Sequence, residues 1–238
     1  MTYKAILFDL DGTLINSLED LADSMNRVLA AMGFPCHPLA SYRYFVGDGV
    51  EMLVRRSLPA REVGEEAVKR GVALMRKDYG SNWATKTRPY DGIVELLGRL
   101  KEFGCILAVL SNKPHAMTVK VVDHFFSDHP FTAVRGASPE VAKKPSPQGA
   151  LKLASELGIL PRDFLYLGDT NTDMHTAKGA GMKAIGAGWG FRTADELLGS
   201  GADRVISQPL EMLELFKAKD SNICQQGGEA GNGCGQDS

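Results

Sequence analysis

The chain is punctuated by short apolar runs that stop abruptly at polar or glycine residues. Ala5 to Phe8 ends at Asp9, Ile106 to Leu110 at Ser111-Asn112, Phe131 to Val134 at Arg135-Gly136, Phe164 to Leu167 at Gly168-Asp169, and Lys183 to Ala187 at Gly188. Each is long enough for a buried strand. Between most of them lie segments with helical spacing, such as Ile93, Val94, Leu96, Leu97, Leu100 and Phe103, closed by Gly104 as a helix stop. Strands alternating with helices predict an α/β fold with a Rossmann-like parallel sheet covered on both faces. Open sheets of that kind bind ligands beyond the carboxyl ends of their strands, which is where these polar residues fall.

One stretch breaks the alternation. Leu18, Leu21, Ala22, Met25, Val28, Leu29 and Met32 form a helical stripe ending at Gly33, and more helical sequence follows around Val50 to Leu58 and Val63 to Tyr79. The simplest reading is a helical insertion after the loop of the first strand. Its linkers lie near Asn16 and near residues 82–90, where Arg88-Pro89-Tyr90-Asp91-Gly92 supplies turn chemistry. The expected organisation is an α/β core over residues 1–15 and 84–218, with a helical cap over 16–83 above the active face. Residues 219–238 hold five glycines and almost nothing apolar, which predicts a disordered tail.

Composition removes several function classes. The net charge is -2, from 27 basic and 29 acidic side chains, and no Lys/Arg block is available to follow a nucleic-acid backbone or an anionic membrane. Cys36, Cys105, Cys224 and Cys234 have no CxxC spacing, and Cys105 reads as a small core residue. The five histidines lack zinc-site spacing. Gly186, Gly188 and Gly190 lack the third glycine of a dinucleotide loop and read as turn glycines. With no signal-like leader and no apolar run near the roughly 18 residues of a span, the expected location is the cytoplasm. The expected ligand is a small soluble molecule.

Asp9 and Asp11 leave the first apolar run two residues apart and are followed at once by Gly12-Thr13. Close carboxylates repel each other unless a cation sits between them, so a positive charge is expected nearby. The hexapeptide Asp9-Leu10-Asp11-Gly12-Thr13-Leu14 resembles the first signature of the haloacid dehalogenase superfamily of phosphohydrolases. Ser111-Asn112, Lys144-Pro145 and Gly168-Asp169-Thr170-Asn171-Thr172-Asp173-Met174 match further pieces in the same order, so the resemblance covers residues 5 to about 216. It implies that Asp9 is the nucleophile toward phosphorus and that Asp11 protonates the leaving oxygen and then activates water. It also implies a Mg²⁺ ion held by the Asp9 carboxylate, the Asp11 backbone carbonyl and Asp169, with Asp173 ligating directly or through water. Lys144 would add a fixed positive charge, while Thr13 and Ser111 offer hydroxyls to the phosphoryl oxygens, with Asn112 beside them. Taken alone, Asp169 or Asp173 is as readily a helix cap, and Lys143 competes with Lys144.

Within that superfamily, Gly168 to Met182, Gly188-Trp189-Gly190-Phe191-Arg192 and Gly201-Ala202-Asp203 are most similar to the phosphoglycolate phosphatase group. The similarity implies hydrolysis of a small phosphorylated metabolite, 2-phosphoglycolate first; the expected assembly is a monomer or homodimer. It implies that Gly47, Asp48 and Gly49 lie near the leaving group. Arg43, Arg55 and Arg56 are the cap cations available to a substrate carboxylate, although any one of them is more readily part of a solvated cap surface. The negative charge of Asp48 is out of keeping with an anionic leaving group. A phosphomutase or an inorganic pyrophosphatase would share the core. A dehalogenase normally lacks an acid at the position of Asp11. A phosphorylation-dependent receiver domain has adjacent acids, a phosphorylated aspartate after a middle strand and no helical insertion, whereas here the middle strand ends in Ser111.

Overall fold

The computed structural model describes residues 3–129 and 131–217. The predicted tail, with Cys224 and Cys234, lies outside the described residues. The chain begins with β1 (Ala5–Phe8) and a two-residue strand β2 (Ile15–Asn16), then runs through four helices, α1 (Leu18–Met32), α2 (Leu39–Phe45), α3 (Val50–Ser57) and α4 (Glu65–Asn82). A second two-residue strand, β3 (Arg88–Pro89), leads to α5 (Ile93–Glu102), β4 (Ile106–Pro114), α6 (His115–Phe126) and β5 (Ala133–Ala137). Then follow α7 (Gln148–Glu156), β6 (Phe164–Gly168), α8 (Asn171–Ala180), β7 (Lys183–Ala187), α9 (Ala194–Gly199), β8 (Arg204–Ile206) and α10 (Glu211–Lys217).

Six strands form one parallel sheet in the order β5-β4-β1-β6-β7-β8. Its two faces feed separate cores, as the two-residue period of a strand requires. In β1, Ile6 and Phe8 join the core beneath α5, α6 and the inserted helices, while Ala5 and Leu7 join the core beneath α7, α8 and α9. All four are fully buried, the signature of a central strand covered on both sides. This places the end of β1, and so Asp9, at the middle of the sheet's carboxyl edge. The Asp9 N–H continues the ladder by donating to the carbonyl of Leu167 at 2.9 Å.

Where the sequence reading and the structure differ, packing decides. Phe131 was expected to start a strand, but it stands before β5, its ring packed edge-on against Phe8 and Phe126. The strand instead includes Gly136, where a Cβ would lie 2.6 Å from the Cα of His115. Strand β4 runs past the expected Leu110, and its register with β5 breaks between Leu110 and Pro114. Ser111, Asn112 and Lys113 occupy that irregular stretch, and breaks of this kind re-aim side chains. The edge strand β8 has three residues and no apolar run to announce it.

The helical segment leaves and re-enters the core through one ribbon: β2 and β3 pair antiparallel, Ile15 with Pro89 and Asn16 with Arg88. Asp20 of α1 secures the return. Its carboxylate is buried and accepts from the backbone N–H groups of Lys86 and Thr87 and from the Thr87 hydroxyl at 2.7–3.0 Å. The stripe of α1 is buried at Leu21, Met25, Val28 and Leu29, and the helix stops at Gly33 in the left-handed region. Gly71 lets α4 approach α3, since a Cβ there would meet Val54 at 2.6 Å. Among the described residues no helix is long and apolar enough to cross a membrane.

Candidate active site

Strand ends assemble the site. The side chains of Asp9 after β1, Asp169 after β6 and Asp173 on the first turn of α8 are buried, and they present carboxylate oxygens within 4.8 Å of one another. The ammonium of Lys144 stands among them, 2.7 Å from Asp9 and 2.6 Å from Asp173. Three buried carboxylates thus face one buried ammonium. Burial, and then the charge of Asp173, push the Asp9 carboxyl well above the usual carboxylate range, although Lys144 pulls the other way. The same causes raise Asp169 to about 7, against hydrogen bonds from Phe191 and Thr13. Burial alone would lower Lys144, but Asp173 and Asp9 reverse this and hold its ammonium well above the ordinary lysine value.

Asp169 is held from several sides. The Thr13 hydroxyl donates to it at 3.0 Å and the Phe191 N–H at 2.8 Å. Gly12 and Gly190 lie so close that a Cβ on either would fall 2.1–2.2 Å from Asp169 atoms. Asp173 fills two roles at once. It is the third residue of a capping box, accepting from the Thr170 N–H and hydroxyl, while its other oxygen accepts from Lys144 and the Tyr166 hydroxyl. The cap reading and the site reading of this residue are therefore the same geometry.

The mutual repulsion expected of Asp9 and Asp11 is not what the structure arranges. The carboxylates pressing on Asp9 are Asp173 and Asp169. Asp11 pairs instead with Lys113, whose Nζ donates to its two oxygens at 2.7 and 2.9 Å, and it accepts from the Ser17 hydroxyl at 2.6 Å. The same Nζ donates to the Tyr79 hydroxyl of α4 at 3.0 Å. Asp9 and Asp11 both line a cavity of about 380 Å³ bounded by Leu21, Val46, Leu53, Met75 and Met117, and Ser111, Asn112 and Lys113 line it too.

Several expected substrate contacts lie elsewhere. Thr13 is fully buried and its hydroxyl is committed to Asp169, so it positions that carboxylate and offers nothing to the cavity. Asn112 lines the cavity, but its amide donates to the carbonyls of Gly47 and Lys144 and accepts the Lys144 N–H, which makes it a brace between three segments. Ser111 lines the cavity, its oxygen accepting from the Lys113 N–H. Gly47 and Gly49, with φ of 124° and 88°, line it too, while Asp48 between them turns to Arg56 and to the Thr172 hydroxyl. The charge of Asp48 is therefore met by an arginine and does not oppose an anion in the cavity.

Arg43 is absent from the cavity wall. It donates to the carbonyls of Gly190 and Phe191, and Arg192 reciprocates by donating to the carbonyls of Arg43 and Val46. Arg55 pairs with Glu51 and Glu65. Sequence reasoning gave no role in the site to Lys113, Tyr79 or Arg192. The signal for Lys113 was a lysine directly after Ser111-Asn112 at the end of an apolar strand. No local signal separates Tyr79 from the other residues of its helical stripe.

Residues 6–187 match the family described as haloacid dehalogenase-like hydrolase. A phosphoglycolate phosphatase of Haemophilus influenzae (strain 86-028NP) is 33% identical over 220 residues, covering 90% of this chain and 98% of the relative. The chain belongs to the haloacid dehalogenase-like hydrolases. A phosphoglycolate phosphatase of Chromobacterium violaceum is 32% identical over 218 residues, covering 90% of this chain and 96% of the relative. Among solved structures of this hydrolase family, one from Haemophilus somnus 129Pt, described as a predicted phosphoglycolate phosphatase, superposes with a TM-score of 0.84. It is 30% identical and covers 90% of this chain and 98% of that one. The clustered acids and the lysine thus stand in a hydrolase fold that extends over nearly the whole described chain.

Proposed function

We propose that this chain hydrolyses small phosphate monoesters, 2-phosphoglycolate first among them, in a Mg²⁺-dependent reaction through a phosphorylated Asp9. The observation that carries the reading is the imbalance of charge at the sheet edge: among the described residues, Asp9, Asp169 and Asp173 are buried against the single ammonium of Lys144. Two negative charges remain uncompensated, and a hard dication with a preference for oxygen ligands fits that deficit. The Asp9 carboxylate, the Asp11 backbone carbonyl and Asp169 would hold it. Asp173, whose oxygens already accept from Lys144, Tyr166 and Thr170, completes the charge of the cluster and orients the lysine. When bound, the ion neutralises charge on the phosphoryl oxygens.

The chain's own residues then divide the work. An Asp9 oxygen bonds to phosphorus as the ester oxygen departs, and Asp11, entering the step protonated, gives that oxygen its proton. Asp11 next takes a proton from the water that attacks phosphorus, and the bond from phosphorus to Asp9 breaks, releasing phosphate. Lys144 stays against Asp9 throughout, and the Ser111 hydroxyl donates to a phosphoryl oxygen. Residues 16–83 act as the cap of this reading, over a core formed by 1–15 and 84–218, and enclosure by their apolar side chains excludes bulk water. The choice of 2-phosphoglycolate is supported by the names of the relatives.

A phosphate-release panel of small monoesters tests this. The expected result is turnover with MgCl₂, its loss in excess EDTA, and 2-phosphoglycolate at the head of the panel. Equal turnover with and without EDTA would reject the metal, and a rank for 2-phosphoglycolate no better than the other monoesters would reject the substrate.

A further inference from the structure

We propose that Lys113 selects the substrate's leaving group: its ammonium, buried in the cavity wall, binds a carboxylate carried by the alcohol half of the ester. The inference rests on the monoesterase reading and adds to it a residue and a rule of selection. It begins from the cavity wall. Leu21, Val46, Val50, Leu53, Met75 and Met117 offer an anion nothing to pair with. Among the described residues three cations line the cavity, and two of them, Arg76 and Lys120, are exposed; the ammonium of Lys120 lies over the Trp83 ring. The side chain of Lys113 is only 6% exposed.

The arginines that the sequence put forward for this task are engaged elsewhere, Arg43 with backbone carbonyls, Arg55 with Glu51 and Glu65, and Arg56 with Asp48. Lys144 is held between Asp9 and Asp173 and is not part of the cavity wall. Lys113 is left, and its location fits the chemistry. The leaving oxygen must come within hydrogen-bond reach of Asp11 to receive a proton, and Lys113 is bonded to both oxygens of Asp11. A carboxylate one methylene from the leaving oxygen is thereby delivered to the same ammonium.

The hydrogen-bond inventory shows how it is accommodated. An ammonium has three donors; Lys113 spends two on Asp11 and one on the Tyr79 hydroxyl. Tyr79 lines the cavity as well. An incoming carboxylate replaces the tyrosine oxygen as the third acceptor, and the Tyr79 hydroxyl turns its own proton to the same group. An ester with an uncharged leaving group makes neither bond.

The test compares 2-phosphoglycolate with ethyl phosphate, which has the same two carbons and no carboxylate. In the wild type 2-phosphoglycolate has the higher kcat/KM. In Lys113→Met both substrates slow, because Asp11 loses its partner, and the ratio of the two kcat/KM values falls by at least about 10-fold; Lys113→Arg restores part of that ratio. A ratio unchanged in Lys113→Met overturns the proposal, since the lysine would then act only through Asp11. A measurement on the wild type alone covers a variant that does not fold: glycolate should inhibit at a concentration at least about 10-fold lower than glycolamide, and equal inhibition overturns the proposal. Turnover of ethyl phosphate with no preference for the carboxylate rejects this inference alone, whereas release of phosphate from neither substrate rejects the monoesterase reading with it.

Discussion

Without a divalent cation, the protein should lose stability as pH rises toward neutrality. Asp169 has a carboxyl raised from 3.8 to about 7, by burial first and by the charge of Asp173 second. Asp9 is raised for the same two reasons. An acid whose folded value lies above its unfolded value binds more protons in the native state, so folding is favoured at low pH and the advantage is lost as pH climbs between the two values. For Asp169 the window runs from about 4 to about 7. At about 1.4 kcal/mol per pH unit the loss is on the order of 4 kcal/mol over the whole window, and about 3 kcal/mol of it falls between pH 5 and 8. In a chain of this length that lowers Tm by roughly 10 °C. Mg²⁺ at a hundred times its Kd returns about 2.7 kcal/mol. The assay is thermal unfolding from pH 5 to 8 in EDTA and in excess MgCl₂, with Asp169→Asn alongside to remove the titrating group. The expected result is a Tm in EDTA that falls across this range in the wild type, falls less in Asp169→Asn, and is raised by MgCl₂ most at high pH. A wild-type Tm that follows the Asp169→Asn curve, or one indifferent to MgCl₂ at pH 8, would refute the argument from uncompensated buried charge.

Two further outcomes follow from the packing. Gly190→Ala puts a Cβ 2.1 Å from the Cβ of Asp169, and should cost about 1–3 kcal/mol in urea unfolding while raising the Mg²⁺ concentration needed for half-maximal activity. Lys144→Met leaves Asp9 and Asp173 buried without their ammonium, and should lower stability by about 3–5 kcal/mol at neutral pH, with turnover down by at least about 100-fold.

The sheet was legible because its central strands are buried on both faces, so that Ala5–Phe8 and Phe164–Leu167 are apolar at every position and stop where the chain emerges at the site. The acids could be found for the same reason, since each stands at or just beyond such a stop. What the sequence left open depends on partners distant along the chain. Thr13 reads as a free hydroxyl until Asp169, 156 residues away, is brought against it. Gly190 reads as a turn residue until the approach of Asp169 explains why no side chain fits there. Arg43 reads as a ligand for substrate, yet its donors go to Gly190 and Phe191 because the inserted helices must be fastened to the core. Asp11 carried the expectation of a repelling pair, and the answer lay with Lys113, 102 residues on.

The account depends above all on Asp9 becoming phosphorylated. The direct measurement is to mix the protein with 2-phosphoglycolate and MgCl₂, quench in acid within a single turnover, reduce with borohydride, and read the N-terminal peptide by mass spectrometry. Reduction converts an aspartyl phosphate to homoserine. The account predicts homoserine at residue 9, absent when EDTA replaces MgCl₂. An unmodified Asp9 during turnover, with Asp9→Asn still releasing phosphate at the wild-type rate, would contradict it.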